Sequence, residues 1–356
     1  MRLGIIGLPQ SGKTTVFNTL TAGDEPVGAA VGRIEVKTAN IDVPDERVDI
    51  LAEMFNPKKT IYAKVTYADV AGLGAGSDKG EISGQLLNQL TQMDGFIEVV
   101  RCFESPLVPH AQGSVDPARD IGQMDMEFLL NDQIMVERKL ERLAEEHRKG
   151  GGREKPVIAR EIALFKRMQS VLNDGKPLRD MDLNAEEEKT ISGFGFLSRK
   201  PLLILLNLGD GQAAPPVSYD HNHSAVTSLQ GKLEMDLAQL PADDAAMFME
   251  EYGIEELGLS RMIRESYRLL GQISFFTVGD DEVRAWTVRE GALAPEAAGT
   301  IHTDMEHGFI RAEVITYEDL IAAGSMAAGR TQGKLRLEGK GYPVKDGDII
   351  SIRFTS

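Results

Sequence analysis

Eight residues near the start of the chain, Gly7-Leu8-Pro9-Gln10-Ser11-Gly12-Lys13-Thr14, fit G-x-x-x-x-G-K-[ST] at every fixed position. The chemistry such a loop performs is phosphate binding. Successive backbone N–H groups wrap the phosphates, and the helix that follows adds its positive end. In this pattern Lys13 reaches the β- and γ-phosphates, and the Thr14 hydroxyl sits on Mg²⁺. Pro9, Gln10, Ser11 and Thr15 complete the stretch expected to line the nucleotide. A plain glycine-rich turn before a surface helix is the bland alternative, and motif and context together argue against it.

A nucleotide on this loop needs a second group for its metal. The run Ile61 to Asp69 reads as a strand and ends in Asp69-Val-Ala-Gly72. A carboxylate at a strand's carboxyl end can hold Mg²⁺ through water, and a glycine three residues on can offer its N–H to the γ-phosphate. D-x-x-G is weak alone and gains weight after a phosphate loop and a strand. The glycine-rich continuation, Leu73 to Gly80, suits a segment that responds to the γ-phosphate, with a plain surface loop as the alternative.

Base recognition is expected after the apolar run Pro201 to Leu206, at Asn207-Leu208-Gly209-Asp210. Guanine-specific sites carry N-K-x-D here. Leu208 removes the lysine's aliphatic cover and its charge, while Asp210 still favours guanine, so these residues alone leave the base open. For catalysis, the position after Gly72 is Leu73, which cannot orient water. His110, in a loop stiffened by Pro106 and Pro109, is the candidate to orient or relay for the attacking water. A solvated loop histidine is the alternative.

The elements that must position these residues follow from pattern. Leu3 to Leu8 reads as a buried strand, and Thr15 to Leu20 opens an amphipathic helix. The continuous run at 201–206 suits a central parallel strand. Between 118 and 192 the pattern changes. Met126, Leu129, Val136, Leu140 and Leu143 recur at heptad-like spacing, with Gln133 in the missing seam position. Gly150, Gly151 and Gly152 break the helix, and Ile158, Ile162, Phe165, Met168 and Leu172 form a second stripe. The spacing predicts an antiparallel helical hairpin, about 36 Å long if some 24 residues are helical. The tail is predicted to be a small α+β module, with strands at 273–278, 282–288 and 349–354 and a short capped helix from Thr316. The predicted division is 1–117 and 193–273 for the nucleotide domain, 118–192 for the arm, and 274–356 for the tail module.

The 356 residues exceed one average domain. A formal charge of −16 argues against wrapping nucleic acid with the whole surface, and no DNA sequence recognition is expected. Local RNA contacts remain open through Arg138, Lys139 and Arg142 on the arm, or Lys334 and Arg336 in the tail. The lone Cys102 can form no internal disulfide and no apolar run reaches 18 residues, and the strand pattern from Leu3 into the phosphate loop leads to the expectation of no signal segment there. A cytoplasmic location is expected.

The chain resembles the YchF and Obg-like ATPase family of P-loop NTPases nearly end to end. The resemblance is carried by GLPQSGKTTVFNTLT at the start, DVAGLGAGSDKGEISGQLLNQL at 69–90, VVRCFE at 99–104 and VDPARDI at 115–121. It continues in EVRAW at 282–286, AAGTIHTDMEHGFIRAEVI at 297–315 and YPVKDGD at 342–348. It implies an α/β fold: an Obg-type G domain with an inserted antiparallel coiled-coil arm and a C-terminal β-grasp TGS domain. It also implies Mg²⁺-dependent hydrolysis of ATP, with GTP as a second nucleotide, ribosome association, and a role in translation or stress. Gly12, Lys13, Thr14, Asp69, Gly72, Leu73, His110 and Asn207 match the family's positions. Gln10-Ser11 replaces its usual asparagine-valine. Asp210 stands where members carry glutamate, and Arg33 where a threonine usually precedes Ile-Glu. These departures keep two alternatives in view: a GTP-preferring GTPase, and a nucleotide-gated binding module with little turnover.

Overall fold

The computed structural model describes residues 1–21, 36–70, 82, 84–106, 108–110, 112–149, 152–251 and 254–355. Gly72, Leu73 and the rest of the glycine-rich segment to Gly80 lie outside these residues, as do Arg33-Ile34-Glu35, Gly150 and Gly151. In chain order the strands are β1 (Arg2–Ile6), β2 (Val36–Asp42), β3 (Lys59–Ile61), β4 (Lys64–Val70), β5 (Gly95–Arg101) and β6 (Leu202–Asn207). They continue as β7 (Ser224–Leu229), β8 (Gln272–Thr277), β9 (Glu282–Arg289), β10 (Phe309–Thr316), β11 (Arg336–Glu338) and β12 (Asp348–Phe354). The chain forms two compact units, Met1–Ala39 with Thr66–Met262, and Asn40–Val65 with Ile263–Ser356.

One sheet runs β2-β4-β1-β5-β6-β7. From β4 to β7 all neighbours are parallel. That arrangement explains why β5 and β6 are buried at every residue: both faces are covered, so the strands read as continuous apolar runs. Ile6, Phe96, Val100, Ile204 and Leu206 share one core cluster with Leu86 and Leu90 of the helix Gly84–Thr91. The phosphate loop and the base loop leave this sheet at the carboxyl ends of β1 and β6, where ligands of open α/β sheets bind.

The arm is a helix over Pro117–Lys149 followed by one over Lys155–Asn173. Cross-contacts fix an antiparallel hairpin. Gln133 donates to Asn173 at 3.0 Å, Lys139 pairs with Glu161 at 3.1 Å, and Arg153 pairs with Glu146 at 2.8 Å. Gln133 thus fills its seam position with a cross-helix hydrogen bond. At ~1.5 Å per residue the 33-residue first helix is about 50 Å long, longer than the sequence pattern predicts. The seam holds Val136, Leu143, Ile158, Phe165, Met168 and Leu172.

Met126 was expected in that seam and is instead 69% exposed. The reason lies at the arm's root. There the helix turns Ile121, Met124 and Phe128 into the sheet's core cluster, so the buried stripe follows a different face from the one used farther out. Asp132 marks the handover. It is fully buried and accepts hydrogen bonds from Leu197 N, Ser198 N and Ser198 Oγ at 3.0, 2.8 and 2.6 Å. Those residues immediately precede β6.

In the second unit the sheet order is β11-β10-β12-β8-β9-β3. Antiparallel β8–β9 and β10–β12 flank a central parallel β12–β8 pair, and the helix Ala294–Ile301 packs through Ala294, Ala297 and Ala298. This is the β-grasp arrangement, extended at one edge by β3, which pairs parallel to β9. The strand expected over Ile61–Asp69 is therefore two, β3 and β4, belonging to different sheets. The capped helix from Thr316 forms as predicted, with the Thr316 hydroxyl accepting from Asp319 N. No helix among the described residues is long and apolar enough to cross a membrane.

Candidate functional site

The phosphate loop is shaped by backbone that only small residues allow. Gly7 has φ 144°, and a Cβ there would lie 2.4 Å from the Val99 carbonyl oxygen. Gly12 has φ 101°, and a Cβ there would lie 2.1 Å from Asn207 Nδ2. Gln10, also left-handed at φ 64°, is exposed at the tip, and Pro9 is half-buried beside it. The helix Lys13–Thr21 starts directly, with Val16 N donating to Gly12 O at 3.0 Å. Thr14 and Thr15 stand half-buried in its first turn.

Lys13 Nζ donates to the carbonyls of Gly7 and Leu8, both at 2.8 Å. The ammonium is thus folded back onto the loop. Burial pushes its pKa down to about 8, and the nearby Asp69 partly opposes the shift. Asp69, at the end of β4, is held up by burial, which Lys13 and Lys37 offset. Ser11 Oγ is buried without a partner among the described residues. A buried ammonium and an orphaned hydroxyl beneath a loop of turned backbone form a cradle suited to a polyanion. Thr14 and Asp69 supply hard oxygen donors. No group of three or more His, Cys, Asp or Glu side chains with metal-holding geometry occurs among the described residues. Mg²⁺ fits such a place, because it takes one or two protein oxygens and completes its shell with phosphate and water.

Asn207 joins the phosphate loop to the base loop. Its Nδ2 donates to Ser11 O at 2.9 Å, and its Oδ1 accepts from Gly231 N at 3.2 Å. Leu208 is buried against the core that includes Leu8 and Cys102. Asp210 is exposed. Two side chains without a sequence signal hold the loop between them. Gln212 accepts from Gly209 N at 2.9 Å and donates to Cys102 O at 2.7 Å. Gln230 accepts from Gly211 N at 2.9 Å. Beside them is a recess of about 120 Å³, lined in part by Leu208, Leu229, Gln230, Leu233 and Leu257.

His110 lies in the loop after β5, and its side chain is only 6% exposed. Gln112 N donates to its Nδ1 at 3.1 Å, so that nitrogen carries a lone pair. The other nitrogen, Nε2, then bears the proton and donates to Asp120 Oδ2 at 3.1 Å. Arg101, buried on β5, holds the same loop by donating to Phe103 O at 3.0 Å and Val108 O at 2.7 Å. Neither Asp120 nor Arg101 stood out in the sequence as part of a site. Of the basic groups suggested for RNA, Lys139, Lys334 and Arg336 are paired with Glu161, Asp319 and Glu338, whereas Arg138 and Arg142 stand exposed. In the tail, His302 Nδ1 accepts from Asp304 N, and His307 Nδ1 bonds Thr303 O. Both are local helix-end contacts.

Comparison with known proteins agrees with this architecture. Residues 272–355 match the family model described as YchF-GTPase_C, Protein of unknown function (DUF933). The chain is 37% identical over 363 residues to "Ribosome-binding ATPase YchF" of Bacillus subtilis (strain 168), covering 99% of this chain and 98% of that protein. It is 34% identical to "Obg-like ATPase 1" of Oryza sativa subsp. japonica, over 99% of this chain and 92% of that one. Among solved structures, "Structure of the Schizosaccharomyces pombe YchF GTPase" superposes with a TM-score of 0.85 at 30% identity, covering 99% and 97% of the two chains. With identity of this order sustained from one end to the other, and a phosphate loop, arm and β-grasp unit all in place, the chain belongs to the YchF family of Obg-like P-loop NTPases.

Proposed function

We propose that this protein is a ribosome-associated nucleoside triphosphatase that hydrolyses ATP, and GTP as a second substrate, slowly to the diphosphate and phosphate. The observation that carries this reading is the Lys13 ammonium, buried in a turned loop and bonded only to that loop's carbonyls among the described residues. A triphosphate gives that charge a far better partner than two neutral carbonyls. In this reading Pro9, Gln10, Ser11, Gly12, Lys13, Thr14 and Thr15 bind the phosphates, with the Gly72 N–H facing the γ-phosphate. Asn207, Leu208 and Asp210 serve the base. Thr14 and Asp69 would hold Mg²⁺, which supplies charge neutralisation on the β- and γ-phosphates. Water oxygen attacks the γ-phosphorus, the bridging P–O bond breaks, and the diphosphate leaves with the electron pair. His110 is the proposed group that orients the water.

The bacterial relatives are named ribosome-binding, and the likeness of these and of the Obg-like ATPase covers the arm and the β-grasp unit as well as the nucleotide domain. We extend that partner to this chain, which would place it in the cytoplasm. We divide the functions as 1–117 with 193–273 for nucleotide, 118–192 for the arm and 274–356 for the TGS module, with Asn40–Val65 and residues 263–273 lending β3 and the start of β8 to the second unit. Leu208 leaves no lysine to stack on a guanine, which supports ATP as the principal substrate. A second reading, a nucleotide-gated binder with little turnover, is favoured by the confinement of His110 against Asp120. A phosphate-release assay with ATP and GTP separates the readings. The enzyme reading predicts multiple turnovers with either nucleotide and their loss in Lys13→Ala. Release of no more than one phosphate per protein, with binding intact, would leave the binding-module reading.

A further inference from the structure

His110 is attached to the arm more firmly than to the nucleotide sheet. Four contacts bind its loop to the first two turns of the helix Pro117–Lys149. His110 Nε2 donates to Asp120 Oδ2 at 3.1 Å. Arg119 donates to Ser114 O at 2.8 Å and to Ser114 Oγ at 3.2 Å. The amides of Gln112 and Gln123 bond each other. From the sheet side, Arg101 holds the loop at Phe103 and Val108, short of the histidine.

Asp120 is built to receive the ring. Its carboxylate is 5% exposed, its other oxygen Oδ1 accepts from Arg119 Nε at 3.0 Å and Nη2 at 2.8 Å, and its backbone N–H is spent on Asp116 O. The Arg119 guanidinium holds Oδ1 and aims the carboxylate, so Oδ2 faces the histidine as an acceptor. With Nδ1 accepting from Gln112 N and Nε2 donating to Asp120, both ring nitrogens are spent. A histidine in that condition has no site left for a water molecule.

We propose that Asp120 is a positioning residue that stores His110 as the neutral Nε2–H tautomer against the arm, and that movement of the arm's first turns releases the ring for catalysis. The proposal rests on the reading of His110 as the water-orienting group. It makes the arm the element that sets basal turnover. A partner that grips the arm and shifts its root frees the histidine without touching the nucleotide loop. A charge-assisted hydrogen bond between buried groups stabilises the stored form by enough to hold the released form to a minor population.

The test uses the full chain without ribosomes and compares wild type, Asp120→Ala, Asp120→Asn, His110→Ala and the double variant Asp120→Ala/His110→Ala. Steady-state phosphate release gives kcat and KM, and side-chain ¹⁵N NMR reports the His110 tautomer. Storage predicts that Asp120→Ala raises basal kcat by about tenfold with KM nearly unchanged. It also predicts a tautomer-averaged ring in that variant, against a fixed Nε2–H form in wild type. Asp120→Asn, which keeps a neutral acceptor, falls between, and the double variant returns to the His110→Ala rate. If His110→Ala alone leaves turnover unchanged, the catalytic reading of His110 fails and takes the proposal with it. If His110→Ala lowers turnover while Asp120→Ala fails to raise it, the catalytic reading stands and storage is overturned. A fall in Asp120→Ala matched to that of His110→Ala would instead make Asp120 an activating orienter of the ring. Should Asp120→Ala not fold, Asp120→Asn decides by the same two readouts.

Discussion

Asn207 occupies the space that a side chain on Gly12 would need: its Nδ2 lies 2.1 Å from where a Cβ would sit, and it donates to the carbonyl of the adjacent Ser11 at 2.9 Å. The base loop and the phosphate loop are therefore one packed object. Asn207→Ala should leave the Ser11 carbonyl and the Gly231 N–H without partners. The expected costs are about 1–3 kcal/mol of stability and at least a tenfold loss in triphosphate affinity, for adenine and guanine nucleotides alike. Urea melts and isothermal titration measure the two. A loss confined to one base would show that Asn207 reads the base and does not brace the loop.

Lys13 carries a cost in the nucleotide-free protein. Its pKa falls from 10.5 to about 8 on folding because the ammonium is buried. Between those values the unfolded chain binds the proton and the folded chain does not, so stability rises as pH climbs from about 8 towards 10.5. Below pH 8 the full cost applies. Lys13→Met should stabilise the nucleotide-free protein at pH 7 by about 1–3 kcal/mol, flatten its stability profile above pH 8, and abolish tight triphosphate binding. Thermal melts across that range check the sign. A less stable Lys13→Met protein would contradict it.

Glu98 is buried in the middle of β5, 2% exposed. Burial, with Asp125 and Asp120 adding repulsion and Arg179 opposing, holds its carboxyl well above the ordinary range. A raised folded pKa means the folded state keeps a proton that the unfolded state loses above about pH 4.5. The contribution is full below that pH and is lost as pH rises through the folded value. Glu98→Gln should therefore melt higher than wild type at pH 7.5, with the gap closing towards pH 4.5. A constant gap would mean that the gain came from packing.

Much of this was legible in the sequence because the chemistry is local. Gly7, Gly12 and Lys13 carry the spacing of a phosphate loop between a strand and a helix, and the all-apolar run at 202–206 suits a strand covered on both faces. Long-range relationships were not legible. Asp120 sits in the first turn of the arm helix, where an acidic residue is ordinary, and nothing in its neighbourhood announces a bond to His110. The split of 59–70 into β3 and β4 depends on β9, more than 200 residues later. Met126 fits a single heptad register but lies outside the seam, because the helix changes partners at Asp132.

Asp132 itself makes a separate expectation. It is fully buried in the arm and satisfies three donors just before β6. Asp132→Ala orphans all three and should cost about 2–4 kcal/mol. It should also loosen the arm's root, seen as faster amide hydrogen exchange at Leu197 and Ser198. Unchanged protection at those amides would show that the arm is held by its apolar contacts alone.

The proposed function joins a nucleotide on the Gly7–Thr14 loop to a ribosomal partner, and from that pairing the nucleotide is expected to govern attachment to the ribosome. Sedimentation of the full chain with ribosomes tests it most directly, in the presence of a non-hydrolysable ATP analogue, of ADP, or of no nucleotide. The account predicts co-migration that is strong in one nucleotide state and weak in the others, with the difference erased in Lys13→Ala. Equal co-migration in all three conditions, or none in any, would contradict it.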